Sequence, residues 1–308
     1  LSIENILKGV KTLIMTKTAL LFSGQGSQYA GMGAELVEYL PEAADFLKRF
    51  NSEPDSTLTV QPAVFSVSMA AFNAARTAGI KFQAVAGHSL GEYAALAACG
   101  ASTPEDGFGL LEIRGRVMQK AAENSNGGMA AVLGLENAVV EAVCNEISSS
   151  DYVSAVNYNS PGQIVIAGTE AGLAKAGELL KSKGAKRVLR LNVAAAFHSE
   201  LMREAAEEFK ELIGDFKFKT PEIPFCSNVT GAVLDDFSDM PGYLARHICS
   251  PVRFSDQLFA LEKAGFNTFL ELGPGKVLSG LVKKTLPSAT VCNIEDLKSL
   301  EAAKDILL

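Results

Sequence analysis

Two short apolar runs, Thr18 to Ser23 and Ala84 to Ala86, each stop at a glycine-flanked turn: Gly24-Gln25-Gly26 after the first, Gly87-His88-Ser89-Leu90-Gly91 after the second. A short apolar run that ends this way reads as a buried strand followed by a tight turn. Apolar spacing predicts helices between the two, from Glu35 to Phe50 and from Pro62 to Ala78, and an alanine-rich helix after the second. Strands alternating with helices require a mostly parallel sheet covered on both faces. Thr103-Pro104-Glu105 then opens a further helix, with proline at its first position, running to about Glu123.

The rhythm changes at Asn126-Gly127-Gly128. Met129 to Leu133 reads as a strand, Glu136 to Ile147 as a helix, and Tyr152 to Tyr158 and Gln163 to Ala167 as strands joined at Ser160-Pro161-Gly162. A helix from Ala171 to Lys183 and a strand from Lys186 to Leu191 complete a β-α-β-β-α-β order, the ferredoxin-like unit. The first rhythm then resumes, with a helix from Ser199, a strand from Ile223 to Ser227 and a strand from Thr268 to Leu272 ended by Gly273-Pro274-Gly275. The expected fold class is α/β: a discontinuous, hydrolase-like parallel-sheet domain (15–126 and 195–308) with a ferredoxin-like small domain (127–194) inserted and a cleft between them. Residues 1–14 read as an extension before a start at Met15, with no function assigned to them.

Composition narrows the function. With 48% hydrophobic and 20% charged residues the chain has the balance of a soluble globular protein. A net charge of −7 argues against generic nucleic-acid or anionic-membrane binding. The 5 cysteines are scattered without metal-ligand spacing, which fits reduced thiols in a cytoplasm. No uninterrupted apolar run reaches the ~18 residues of a membrane span.

Gly87-His88-Ser89-Leu90-Gly91 matches the G-x-S-x-G nucleophile elbow, with a strand before it and a helix after it. That context favours Ser89 as a nucleophile over a serine that merely caps a helix. Of 3 histidines, His88 lies inside the elbow and is assigned to packing or a hydrogen bond beneath it. His198 lies where the small domain returns to the large one and is the candidate general base. His247 falls late on an amphipathic helix, where an imidazole can satisfy terminal carbonyls. Asp106 and Asp151 lie between Ser89 and His198 but lack the context of a triad acid; a backbone carbonyl could orient the imidazole instead. Arg114 falls on the apolar stripe of its helix with Leu110, Leu111, Val117 and Met118. A buried guanidinium needs an anionic partner, either an internal Asp or Glu or a substrate carboxylate held by a bidentate fork. Gly24-Gln25-Gly26-Ser27-Gln28, at the carboxyl end of a strand, is placed to contribute N–H groups to an oxyanion hole.

Taken together with Gln61-Pro62-Ala63, Arg114 to Gln119, Gly128 to Leu133, Asn159 to Gln163, Ala196 to Met202, Ser227 to Gly231 and Glu271 to Leu278, these motifs resemble malonyl-CoA:acyl-carrier-protein transacylases from about Lys17 to Ser288. The resemblance implies an [acyl-carrier-protein] S-malonyltransferase of fatty-acid synthesis, in which Ser89 is acylated, His198 is the base and Arg114 pairs with the malonyl carboxylate. It implies an oxyanion hole from the N–H groups of Gln25 and Leu90, a main-chain carbonyl at His247 orienting His198, and Gln61 and Phe197 in the substrate pocket. It implies no bound cofactor or metal: coenzyme A enters as the thioester, and the phosphopantetheine belongs to the carrier protein. His247 stands where glutamine is commoner in the family, and Ser23 where proline is usual. The implied partners are malonyl-CoA and an acidic acyl carrier protein, docking transiently in the cytoplasm, with no nucleic acid or membrane. On a chain of net charge −7 that docking needs a local basic surface, and Lys175, Lys181, Lys183, Lys186, Arg187 and Arg190 form the richest candidate, with Lys276, Lys283 and Lys284 as the alternative.

Overall fold

The structure, a computed structural model, describes residues 17–308 apart from 55 and 194; the proposed extension at 1–14 lies outside the described residues. Strand β1 (Thr18–Phe22) is buried along its whole length. It pairs in parallel with β2 (Ala84–Gly87) on one side and β8 (Thr268–Leu272) on the other. With β7 (Phe225–Cys226) and β9 (Thr290–Ile294) at the edges, the parallel sheet has the order β7-β2-β1-β8-β9. Strands buried on both faces carry no polar alternation, which is why Thr18 to Phe22 and Ala84 to Gly87 read as continuous apolar runs.

The remaining strands form a separate antiparallel sheet. These are β3 (Gly127–Leu133), β4 (Val153–Ser160), β5 (Gln163–Thr169) and β6 (Arg187–Arg190), in the order β4-β5-β3-β6. The helices Asn137–Ile147 and Glu170–Ser182 pack on this sheet around Val140, Val143, Ile164, Ile166, Leu173 and Leu180. The chain enters the sheet at β3 and leaves it after β6. A further joint lies at the opposite edge, where the Val252 N–H donates to the Val156 carbonyl at 2.7 Å and the Val252 carbonyl accepts from the Tyr158 N–H at 2.9 Å.

Several boundaries differ from the sequence expectation. The helix expected over Glu35 to Phe50 is divided at Pro41 into a 3-10 turn (Ala34–Tyr39) and an α-helix (Ala43–Ser52). The helix expected from Pro62 starts earlier, at Thr57, because Ser56 caps it and Pro62 is accommodated inside the helix. That helix, Thr57–Thr77, is also long and apolar enough to cross a membrane by length and composition. It is instead a core helix, buried along nearly its whole length and packed on the Pro104–Glu123 and Gly91–Ala98 helices. Counting uninterrupted apolar runs misses it because Gln61, Ser66 and Ser68 break the run while staying buried. The Pro104–Glu123 helix starts as expected, with the Thr103 hydroxyl accepting the Asp106 N–H at 3.0 Å.

Candidate active site

Ser89 and His198 are the only two non-glycine residues among those described whose φ lies in the left-handed region, at 52° and 62°. Such backbone costs energy and survives only where the surroundings impose it. At Ser89 part of the imposition is steric. A Cβ on Gly91 would lie 2.1 Å from the Phe22 carbonyl oxygen, and one on Gly87 would lie 2.2 Å from the Gly91 carbonyl carbon. The two glycines therefore let the Gly91–Ala98 helix start directly against β1, and Ser89 is the residue that turns the corner.

The Ser89 Oγ and His198 Nε2 are 2.7 Å apart. His198 Nδ1 is 3.1 Å from the His247 carbonyl, which can only accept, so Nδ1 carries the proton and Nε2 is free to accept from Ser89. No carboxylate intervenes. Burial, and after it the field of Arg114, push the His198 imidazole down to about 3, so it is neutral at physiological pH. Arg114 is 1% exposed and donates from Nη2 to the same Ser89 Oγ at 3.2 Å. Of the two partners left open for it, no internal Asp or Glu lies at ion-pair distance among the described residues, although the buried Glu92 acts on the guanidinium from further away; the Arg114 Nε has no hydrogen-bond partner. Its guanidinium carbon lies 5.5 Å from the centre of the Tyr93 ring, a cation–π contact. A cation and a neutral imidazole thus converge on one hydroxyl oxygen.

The other expected residues are placed as follows. His88 turns away from Ser89, its Nε2 2.8 Å from Asn159 Oδ1 on β4 and its ring against Phe254. The His247 side chain does not satisfy helix carbonyls, as its place on the helix suggested; it is fully buried and neither ring nitrogen has a partner. Burial holds its pKa well below the ordinary imidazole value, so its approach to Glu92 at 3.9 Å joins a neutral ring to a carboxyl and is not an ion pair. Gln61 is buried, with Nε2 3.6 Å from Met118 Sδ and Oε1 unpartnered. Phe197 is buried beside His198. Gly24 lies against the His88 carbonyl, which brings Gln25 beside the elbow, and Leu90 directly precedes the first helical turn.

Sequence reasoning quoted Ser227 to Gly231 as a motif but assigned no role to the residues behind the elbow. Asn228 Oδ1 accepts the Ser89 N–H at 2.7 Å while its Nδ2 donates to the Gly87 carbonyl at 2.7 Å. The Asn228 N–H in turn donates to Glu92 Oε2 at 2.7 Å, and Tyr243 Oη lies 2.5 Å from Glu92 Oε1 and 2.8 Å from Ser227 Oγ. Glu92 is completely buried, and that burial pushes its carboxyl up to about 8. One signal for it was available: Glu92 is a charge on an alanine-rich, apolar helix, the same anomaly that singles out Arg114.

Comparison with known proteins gives this arrangement a family. The profile of the acyl transferase domain matches residues 49–304, which defines the class. The malonyl CoA-acyl carrier protein transacylase of Bacillus subtilis is 39% identical over 310 residues, spanning 94% of this chain and 96% of its own. The structure of the Clostridium perfringens malonyl CoA-acyl carrier protein transacylase superposes with a TM-score of 0.89 at 37% identity, over 95% of this chain and 97% of that one. A malonyl-transacylase solved in complex with a type II PKS acyl-carrier protein superposes with a TM-score of 0.87 at 32% identity, over 94% of this chain and 100% of that one. The chain belongs to the malonyl CoA-acyl carrier protein transacylase family.

Proposed function

We propose that this protein transfers the malonyl group of malonyl-CoA to the phosphopantetheine thiol of an acyl carrier protein, through a malonyl-serine intermediate, to supply fatty-acid synthesis in the cytoplasm. The observation that carries the reading is the convergence on Ser89 Oγ of His198 Nε2 at 2.7 Å and Arg114 Nη2 at 3.2 Å, with Arg114 buried and unpaired to any acid. The names of the relatives support the donor and the acceptor.

In this reading His198 takes the Ser89 proton as Oγ attacks the thioester carbonyl. The tetrahedral oxyanion is received by the N–H groups of Leu90 and Gln25. Collapse releases coenzyme A as its thiol, with the proton returned from His198. The carrier's thiol then gives its proton to His198 and attacks the ester, and Ser89 is regenerated with its proton, a ping-pong cycle. Arg114 holds the malonyl carboxylate, and as a planar fork it does so bidentately, turning the cost of an unpaired buried cation into selectivity for a diacid. Gln61 and Phe197 line the acyl end.

We also read the parallel sheet as hydrolase-like and the antiparallel sheet as a ferredoxin-like insertion (127–194) in a discontinuous domain (15–126 and 195–308). The β4-β5-β3-β6 order, in which β5 lies between the helix-linked strands β3 and β4, supports that assignment. Carrier docking is assigned to the exposed basic edge at Lys186 and Arg187. Of the other cations there, Lys175 is paired with Asp151 and Arg190 with Glu170.

The test is intact-protein mass measurement after acid quench with malonyl-CoA. A malonyl adduct on the wild type, absent from Ser89→Ala, is the expected result. Free malonate released without the carrier would make the protein a thioesterase, and no adduct at all would make it a binding module.

A further inference from the structure

The strained backbone of Ser89 and the buried polar cluster behind it explain one another. Gly87 and Ser89 flank His88 in the corner, and the turn leaves a carbonyl at Gly87 and an N–H at Ser89 facing the same side. Buried backbone groups of this kind must find partners. Both are met by one carboxamide, since Asn228 Oδ1 accepts from Ser89 and Nδ2 donates to Gly87, each at 2.7 Å. Only a short side chain with a donor and an acceptor on the same carbon fits this demand. Aspartate has no donor for Gly87, and alanine leaves both groups unpaired.

The clamp is itself held. Asn228 is fully buried, and its own N–H is fixed by Glu92 Oε2, while Tyr243 Oη fixes Glu92 Oε1 and the Ser227 hydroxyl beside it. Glu92 stands three residues after Ser89 on the helix that the elbow opens, so the loop carrying Asn228 is tied to the nucleophile at two points.

Resting on the reading of Ser89 as the nucleophile, we infer that Asn228, fixed by Glu92 and Tyr243, is a positioning residue that holds Ser89 in its left-handed conformation and so sets the distance of its hydroxyl from His198. The clamp has a corollary for the oxyanion. The Ser89 N–H is consumed by Asn228, so it is withdrawn from the carbonyl being attacked, and the donors must come from the next residue, Leu90, and from across the cleft at Gln25.

Serine reactivity can be read without any acyl donor, by the rate at which a neutral fluorophosphonate labels Ser89, and separately by malonyl-CoA loading in the acid quench. Asn228→Ala and Asn228→Asp should slow labelling by roughly 10-fold to 10²-fold, the scale of an ångström-level misplacement of a reacting group. Near-UV circular dichroism should remain native, and the Michaelis constant for malonyl-CoA loading should change far less than the maximal rate. Tyr243→Phe, which removes one tie to Glu92 and leaves the carboxamide, should give a smaller loss of the same kind and serves as the reading if the Asn228 variants do not fold. Labelling within twofold of wild type in folded Asn228 variants, or in Tyr243→Phe should the others not fold, overturns the clamp. A wild type that is labelled but never malonylated overturns the proposed function and leaves the labelling comparison intact.

Discussion

At the scale of single residues, the electrostatics of the site set its pH behaviour. Burial and the Arg114 cation hold His198 down to about 3, against an ordinary imidazole value of 6.5. A base needs only to be unprotonated, so labelling of Ser89 by a neutral fluorophosphonate should stay near its plateau down to about pH 5, where an ordinary histidine would have lost roughly thirtyfold. Arg114→Ala removes a lowering influence, so its acid limb should move to higher pH; an unmoved limb would mean that the guanidinium does not act on the base. Stability follows the same sign. The folded state excludes a proton that the unfolded chain accepts, so the contribution is complete above pH 6.5 and is lost as pH falls toward 3. Ser89, His198 and Arg114 were legible because each breaks a local rule: a polar residue between glycines after a strand, a histidine at a chain crossing, a charge on an apolar stripe. Asn228 stood in the quoted Ser227–Gly231 motif, but its role was not legible, since its partner Ser89 lies 139 residues away.

At the scale of elements, the elbow is a problem of clearance. A methyl on Gly91 would press on the Phe22 carbonyl, which belongs to the central strand of the parallel sheet and cannot retreat. Gly91→Ala should therefore cost about 3 kcal/mol or more, lowering the melting temperature by roughly 6–12 °C in calorimetry. Gly280, exposed inside the Val277–Thr285 helix with nothing within 4 Å of its missing Cβ, is the matched control. Gly280→Ala should gain up to ~1 kcal/mol from helix propensity alone. A similar loss in both variants would contradict the clearance argument. Strand and helix types were legible wherever the apolar pattern was strong, as in the continuous runs of β1 and β2, in β8 and in the antiparallel set. Edge strand β9 escaped, because Thr290-Val291-Cys292-Asn293-Ile294 mixes polar and apolar residues without a clean period. So did the Leu297–Leu307 helix, although Asp296 and Ser299 form a capping box at its start.

At the scale of the whole molecule, net charge and local charge have opposite signs. Edge strand β6 exposes Arg187, and Lys186 beside it is also exposed, on a chain of net charge −7. Reversing both to glutamate should raise the apparent KM for the carrier protein several-fold and leave malonyl loading unchanged. Added salt should weaken the wild type in the same direction, since exposed charges are screened over ~10 Å at 0.1 M. Wild-type carrier kinetics and salt response in the reversed variant would move docking to Lys276, Lys283 and Lys284. Geometry at this scale has its own consequence. A plate tied to a body by two strips of chain keeps one freedom, rotation about the line through the strips. Here the strips meet the antiparallel sheet at neighbouring strands, β3 and β6, while the joint at Val252 grips β4, two strand spacings away from β3, or roughly 10 Å. A third tie off the axis removes that rotation, and the contact of Asn159 with His88 lies on the same far strand. The antiparallel sheet is therefore braced at both of its edges, a shelf rather than a hinged flap, and does not swing about the line through its two connections.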